Sequence, residues 1–112
     1  MPTPALNDIQ IFAEVARRGS FVRAAEALDM PTSTVSRRVA QLEATLDTPL
    51  MLRSTRQLRL TVQGKLYFER CVPALEALEQ ARLTVMELQQ EPIQRTRGSV
   101  FTRSNGVEKR DP

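Results

Sequence analysis

The chain has 112 residues, of which 41% are apolar and 26% are charged, as expected for one small globular domain. It contains one cysteine and no histidine, which excludes a Cys/His zinc site and an acid/base mechanism that uses histidine. From these absences we expect a protein that is not an enzyme and binds no cofactor or metal. The sequence shows neither an apolar run long enough to span a membrane nor the pattern of a signal peptide, so we expect it in the cytoplasm.

The positive charge is concentrated in the middle of the chain. The formal net charge is +3, yet the segment from Arg37 to Lys65 holds six basic residues and only two acidic ones, Glu43 and Asp47. Between residues 66 and 90 the acidic residues outnumber the basic ones. The middle segment is therefore the part of the chain whose charge bears on function.

The first two predicted helices are amphipathic. Thr3 followed by Pro4 favours a helix start with Thr3 as the N-cap, and Gly19 predicts the end of that helix. Ser20 is the predicted N-cap of a second, short helix, whose end is predicted by residues 29–31. The small alanines of this second helix allow another helix to approach closely.

A third helix and a β-hairpin are predicted next. Thr32 or Ser33 is the predicted N-cap of the helix, and residues 47–49 predict its end. Its apolar stripe, at spacings of four, three and four, consists of Val35, Val39, Leu42 and Leu46. Two runs of roughly alternating character, residues 50–53 and 57–60, predict the strands of a small hairpin.

The segment from Thr61 to about Gln90 predicts one long helix, with Thr61 as its N-cap. Pro73 lies inside it, and because proline removes a backbone hydrogen bond we expect a kink or a division into two helices. Apolar residues at helix-pairing spacing, interrupted only by Arg82, form a predicted dimer interface: Phe68, Cys71, Leu75, Leu78 and Val85. The alternative is a helix that folds back to cover its own domain.

Cys71 is interpreted as a packing residue, because no charged neighbour is predicted that would lower the pKa of a redox-active thiol. After Pro92 the chain becomes polar, and residues 91–112 are an expected mobile tail.

A short alanine-rich helix, a tight turn and a helix that opens with hydroxyl residues form the helix-turn-helix pattern, whose second helix enters the major groove of DNA. At about 100° per residue, Arg37 lies opposite the apolar stripe of the third helix, whereas Arg38 lies near its edge. Arg37 is therefore the predicted base reader, because its planar fork matches two acceptors of guanine, and Arg38 is a predicted phosphate contact. Short polar side chains at the same end suit phosphate oxygens or a thymine methyl: Thr32, Ser33, Thr34 and Ser36.

The hairpin and the start of the long helix supply further candidates. Arg56 lies at the predicted tip and would enter the minor groove beside the helix. Arg53 and Arg59 either contact phosphate or support the hairpin surface, and Arg53 is kept among the predicted DNA contacts. Gly64 and Lys65, in the first turn of the long helix, are candidates for the approach to a phosphate.

Residues 6–60 resemble the N-terminal winged helix-turn-helix of LysR-type transcriptional regulators. The resemblance is carried, in this order, by GSFVRAAEAL from Gly19, VSRRVAQLE from Val35, LMLRSTRQLRLT from Leu50 and TVQGKLYFE from Thr61, and it covers about the first 90 residues. It implies DNA binding, with base contacts at Thr32, Ser33 and Arg37, a minor-groove contact at Arg56, and pairing of two subunits through the helix after the wing.

Members of that family continue into a larger effector-binding domain of two α/β lobes. The segment RGSV around Gly98 is similar to the start of that domain, but the residues after it, FTRSNGVEKRDP, do not match its first strand. We therefore expect a DNA-binding fragment or a truncated product, for which a small-molecule effector would require the missing domain.

These observations predict a mainly α fold. Residues 1–60 are the predicted winged helix-turn-helix, with three helices and a two-stranded wing, residues 61–90 are a linker and dimerisation helix, and residues 91–112 are a flexible tail or hinge remnant. The predicted function is sequence-specific binding of double-stranded DNA for transcription regulation, as a homodimer on an interrupted dyad site. The alternative is a protein-protein interaction module that uses the winged fold and the long helix without binding DNA.

Overall fold

The structure, a computed structural model, describes residues 2–53 and 57–90, and of Gln90 the backbone alone. In chain order its elements are α1 (Leu6–Arg18), α2 (Phe21–Leu28), α3 (Thr32–Leu46), β1 (Met51–Leu52), β2 (Arg59–Leu60) and α4 (Val62–Gln90). The predicted class, a mainly α winged helix-turn-helix followed by a long helix, is confirmed. The predicted tail of residues 91–112 lies outside the described residues.

The ends of α1, α2 and α3 follow the local sequence. Each of these helices ends at a residue in the left-handed conformation: Gly19 at φ 66°, Asp29 at φ 57° and Asp47 at φ 53°. Glycine adopts this conformation without strain, and aspartate is one of the few other residues that visit it routinely. The predicted cap of α2 is confirmed, because Ser20 Oγ accepts a hydrogen bond from the Arg23 amide at 3.1 Å.

Helix α1 begins later than predicted. It starts at Leu6, and its N-cap is Ala5, so that Thr3 and Pro4 lie outside the helix. No side chain caps it; the Ala5 carbonyl accepts a hydrogen bond from the Asp8 amide at 3.0 Å. This start makes Asp8 the third helical residue, where the helix dipole favours a carboxylate.

Helix α3 begins earlier than predicted. It starts at Thr32 with Pro31 as its N-cap, so neither Thr32 nor Ser33 has the predicted capping role. Pro31 has φ −62° and ψ 144°, the extended conformation of an N-cap, and its carbonyl accepts hydrogen bonds from the Thr34 and Val35 amides. The hydroxyls of the first turn are therefore not used for capping.

One apolar core lies between the first three helices and the start of the hairpin. Helix α2 contributes Ala24 and Ala25, which are 0% and 3% exposed and allow the close helix approach that the sequence predicts. The largest fully buried side chains are Phe12, Ile11, Leu42, Leu50, Val15, Val35 and Val39. The predicted stripe of α3 thus faces the core.

The hairpin is shorter than the two four-residue runs that predicted it. Strands β1 and β2 are antiparallel, with Met51 opposite Leu60 and Leu52 opposite Arg59, and each has two residues. So short a strand pair is not stable on its own and depends on packing, which here includes the buried side chain of Met51.

Thr61 joins the hairpin to helix α4. Its Oγ accepts a hydrogen bond from the Gly64 amide at 2.9 Å, as predicted for an N-cap, and donates one to the Pro49 carbonyl at 2.8 Å. The Thr61 amide donates to the Leu50 carbonyl at 3.0 Å. Gly64 is buried against that carbonyl, since a Cβ at Gly64 would lie 2.0 Å from Leu50 O. The expectation that Gly64 admits a phosphate is therefore wrong; it admits the base of the hairpin.

Helix α4 runs without interruption from Val62 to Gln90 with Pro73 inside it, so the predicted division into two helices is not observed. The chain falls into two compact units, one ending at Glu76 and the other beginning at Ala77. In the first unit, α4 packs on the core through Tyr67 and Phe68. In the second unit, every side chain from residue 77 to residue 89 is exposed.

Across residues 2–53 and 57–90, no helix has both the length and the apolar character needed to cross a membrane.

Candidate nucleic-acid interface

Helix α3 presents Arg37 on the side away from the core. Val35 and Val39 are fully buried, whereas Ser33 and Arg37 are exposed. Within the described residues Arg37 takes part in no hydrogen bond and no ion pair. All five N–H donors of its guanidinium are therefore available to a ligand.

The hydroxyl residues of α3 surround its N-terminal end as predicted. Thr32 and Ser33 are exposed, and Thr34 and Ser36 are half-buried. Because Pro31 caps the helix through its carbonyl, the hydroxyls of Thr32 and Ser33 can turn toward a ligand without weakening the helix start.

Arg38 is not free. Its Nη1 lies 3.0 Å from Oδ1 of Asp8 in the first turn of α1, and its side chain keeps 31% exposure while that of Asp8 keeps 3%. Oδ1 of Asp8 has no hydrogen-bond partner, so the two groups attract by charge at a short distance without the alignment of a hydrogen bond. The predicted phosphate contact at Arg38 thus lies beside a buried carboxylate.

Arg53 is held at the base of the hairpin. Its Nη2 donates to Oε1 of Glu43 at 3.1 Å, and its guanidinium carbon lies 5.4 Å from the ring centroid of Phe21. Glu43 Oε2 also accepts hydrogen bonds from the amides of Leu50 and Met51, at 2.7 and 3.1 Å. One carboxylate of α3 therefore fixes both the backbone of the hairpin and its first arginine.

An open groove of about 400 Å³ lies where α2, α3 and the hairpin meet. It places Arg53 beside two of the hydroxyl residues predicted to contact DNA, Thr32 and Ser36. The remaining lining residues are Gly19, Ser20, Phe21, Val22 and Leu58. A cationic side chain, several hydroxyls and the amino end of α2 are suited to a phosphate group.

The other predicted contacts are less closely grouped. Lys65 is exposed in the first turn of α4, and Arg59 is exposed on β2 opposite Leu52. Neither lines the groove that Arg53 shares with α3. Arg56, the predicted minor-groove contact, lies outside the described residues.

Sequence reasoning missed Asp8 and Glu43 as partners of the basic residues. The partner of Asp8 is thirty positions along the chain, and that of Glu43 is ten positions along. No periodicity of a single helix connects such residues. The only local sign is the position of Asp8 in the first turn of α1, which the incorrect helix start obscured.

The residues of the predicted dimer interface are divided between the two compact units. In the first unit Phe68, Cys71 and Leu75 are half-buried, and the Phe68 ring lies edge-on to Phe12 with the centroids 6.5 Å apart. Phe68 therefore serves its own domain. In the second unit Leu78 and Val85 are 50% and 56% exposed.

Tyr67 and Cys71 lie together in helix α4. Burial, followed by the neighbouring Cys71, raises the pKa of Tyr67 to about 12. Burial also raises the pKa of Cys71, partly offset by its hydrogen bond with Tyr67. A thiol with a raised pKa is a poor nucleophile at neutral pH, in agreement with the interpretation of Cys71 as a packing residue.

Comparison with known proteins places this arrangement in context. Residues 6–65 match the family described as bacterial regulatory helix-turn-helix protein, lysR family. An HTH-type transcriptional regulator of Xanthomonas campestris is 43% identical over 90 residues, which are 80% of this chain and 26% of that protein. The chain spans less than a third of the length of the curated relatives that it matches.

Solved structures show the same likeness. CrgA, a LysR-type transcriptional regulator from Neisseria meningitidis, has a TM-score of 0.64 and 38% identity, covering 79% of this chain and 30% of that one. The BenM DBD in a complex with catB site 1 DNA has a TM-score of 0.71, covering 76% of this chain and 94% of that one. The BenM identity is 24%, so that likeness concerns the fold alone.

Proposed function

We propose that this chain, which belongs to the lysR family of bacterial regulatory helix-turn-helix proteins, binds double-stranded DNA in a sequence-specific manner to regulate transcription. The family consists of transcription regulators, so the chain is not an enzyme. The observation that carries the proposal is Arg37, exposed on the outer side of α3 with no partner in the described residues. The proposed place of action is the cytoplasm.

Base recognition is assigned to the N-terminal half of α3. Arg37 is positioned by a helix whose other side is buried, and it can donate two parallel hydrogen bonds to O6 and N7 of guanine. Thr32, Ser33, Thr34 and Ser36 would contact neighbouring bases or phosphates.

Backbone contacts are assigned to basic residues outside that centre. Arg53 is held at the groove beside Thr32 and Ser36, where a phosphate would meet a charge and several hydroxyls. Arg38 and Lys65 are assigned to phosphates as well, and Arg56 to the minor groove on the basis of the sequence. Such contacts supply affinity without sequence preference.

We further propose that two copies pair through helix α4. In the second unit this helix exposes five large apolar side chains: Leu78, Leu83, Val85, Met86 and Leu88. In the first unit Cys71 and Leu75 stay half-exposed at the pairing spacing. A dimer would place its two recognition helices in major grooves one helical turn apart, about 34–36 Å, or a multiple of it, on an interrupted dyad site.

The test begins with selection of bound sequences from random duplexes by the full chain. We expect an interrupted dyad with a preferred guanine, and binding that weakens as salt rises. Arg37→Ala should lose the preference at that guanine, with affinity for the selected duplex falling about 5- to 150-fold. Arg17→Ala is the matched control, because Arg17 is an exposed arginine paired with Glu14 on α1, outside the proposed interface.

Two results would contradict the proposal. One is affinity that does not respond to salt. The other is that the chain forms a dimer by solution mass while Arg37→Ala leaves every measurable interaction unaltered. That result would favour the protein-interaction alternative. For the dimer itself, Leu78→Asp should halve the solution mass, whereas Glu79→Asp, a neighbouring change on an exposed residue, should leave it unchanged.

A further inference from the structure

We infer, on the basis of the proposed function, that Asp8 is a positioning residue for DNA binding. Its carboxylate holds the guanidinium of Arg38 at the edge of the recognition helix, ready for a phosphate of the DNA backbone. Helix α1 would then contribute to DNA binding indirectly, because Asp8 orients Arg38 of α3 and does not itself contact DNA.

The burial of Asp8 is the first observation. It is 2% exposed and is the only buried charged residue in the described part of the chain. Arg38 Nη1 lies 3.0 Å from its Oδ1, yet that oxygen accepts no hydrogen bond. Removing a carboxylate from water is costly, and one misaligned contact repays that cost poorly, so the pair is weak as a stabilising device.

Arg38 keeps most of its hydrogen-bond donors available. Its side chain is 31% exposed, only Nη1 faces Asp8, and no described residue accepts a hydrogen bond from it. The remaining N–H groups are free for a phosphate. Because Arg38 directly follows Arg37 on α3, a phosphate bound there would flank the base that Arg37 reads.

The pair also differs from the other ion pairs of the described residues. Most of the others lie within one helix at the surface, and the pair of Glu43 with Arg53 joins α3 to the hairpin through an acid whose side chain keeps 16% exposure. Asp8 and Arg38 join two helices, and the acid is fixed in the core. A long side chain that is held before binding loses less freedom on binding, and this gain favours the complex.

A positioning role for Asp8 and simple charge repulsion predict opposite effects of Asp8→Asn on the affinity for DNA. Removing a negative charge near DNA should strengthen binding to a polyanion if charge alone counts. If Asp8 positions Arg38, Asp8→Asn should instead weaken binding about three- to tenfold, the effect of freeing one long side chain.

The experiment measures affinity of full-length variants for the duplex selected by the wild-type chain, at several salt concentrations. Arg38→Ala should weaken binding and lower the slope of log affinity against log salt by about 0.9, one phosphate contact. Asp8→Asn should weaken binding in the wild-type background and have no further effect in the Arg38→Ala background. Glu14→Gln is the matched control: it also removes a charge from α1 and frees arginines, and it should leave affinity equal or slightly higher.

The outcomes separate this inference from the proposed function. If the wild-type chain binds no duplex, both the proposed function and the positioning role of Asp8 are overturned. If it binds and Asp8→Asn binds equally or more tightly, only the positioning role of Asp8 is overturned. An equal loss in both backgrounds also overturns it, because a purely structural effect of Asp8 would not depend on Arg38.

A measurement on the wild-type chain covers the case in which Asp8→Asn does not fold. Nuclear magnetic resonance relaxation of the arginine Nε–H groups should show Arg38 ordered in the free protein and Arg37 mobile. Equal mobility of the two side chains would overturn the inference.

Discussion

Replacing Gly64 by alanine should destabilise the protein, although alanine is the better helix former by about 1 kcal/mol. The new Cβ would lie 2.0 Å from the Leu50 carbonyl oxygen, which is backbone and cannot rotate away. Overpacking of this kind costs about 1–3 kcal/mol, and moving the carbonyl also weakens its hydrogen bond from the Thr61 amide, worth about 1 kcal/mol. After the helix gain is subtracted, the free energy of unfolding should fall by about 2 kcal/mol, a decrease in Tm of about 8–16 °C.

Thermal and urea unfolding followed by circular dichroism would measure both quantities. Gln63→Ala is the control, since Gln63 is the exposed neighbour in the same helical turn and its replacement should change stability by less than about 0.5 kcal/mol. A Gly64→Ala variant with an unchanged or higher Tm would refute the close contact between α4 and the hairpin base.

Three further predictions concern the hairpin, a helix cap and a titration. Glu43→Gln should lower the free energy of unfolding by about 1–2 kcal/mol in urea, because the acceptor of the hairpin amides loses its charge; an unchanged value would show that the carboxylate does not hold the hairpin. Ser20→Ala should cost about 1 kcal/mol, whereas Ser33→Ala, which removes an exposed hydroxyl without a capping role, should cost almost nothing; equal effects would contradict the assigned caps. The Tyr67 phenolate, followed by its absorbance, should form with a midpoint near pH 12 in the folded protein and near pH 10 in the unfolded chain. Stability should therefore fall as pH rises above 10. A folded midpoint at 10 would contradict the burial of its hydroxyl.

The order of elements was predictable because each depends on neighbouring residues. Gly19, Ser20 and Thr61 punctuate the chain through their own backbone or hydroxyl chemistry, and the stripe that includes Val35 and Val39 repeats with the helical period. Residues this close in sequence meet whatever the rest of the chain does.

The starts of α1 and α3 were not predictable from the same rules, because backbone carbonyls of Ala5 and Pro31 replaced the expected side-chain caps. The role of Gly64 depended on a strand that lies beside it only after folding.

For the candidate site, the outward position of Arg37 followed from helical geometry alone. The surroundings of Arg38 and Arg53 did not, since both are set by carboxylates on other elements, Asp8 and Glu43. Side chains that act alone were thus foreseeable, and those that act through a distant partner were not.

The carboxylate of Glu43 has a consequence for the DNA sequence itself. Because the Glu43 carboxylate binds the backbone at the start of the hairpin, it holds the hairpin base at a fixed distance from α3. If both elements contact DNA as proposed, an operator must keep a matching interval between the segment that α3 contacts and the segment that the hairpin contacts. Inserting one base pair there, a displacement of about 3.4 Å along the duplex, would leave one of the two elements without its partner.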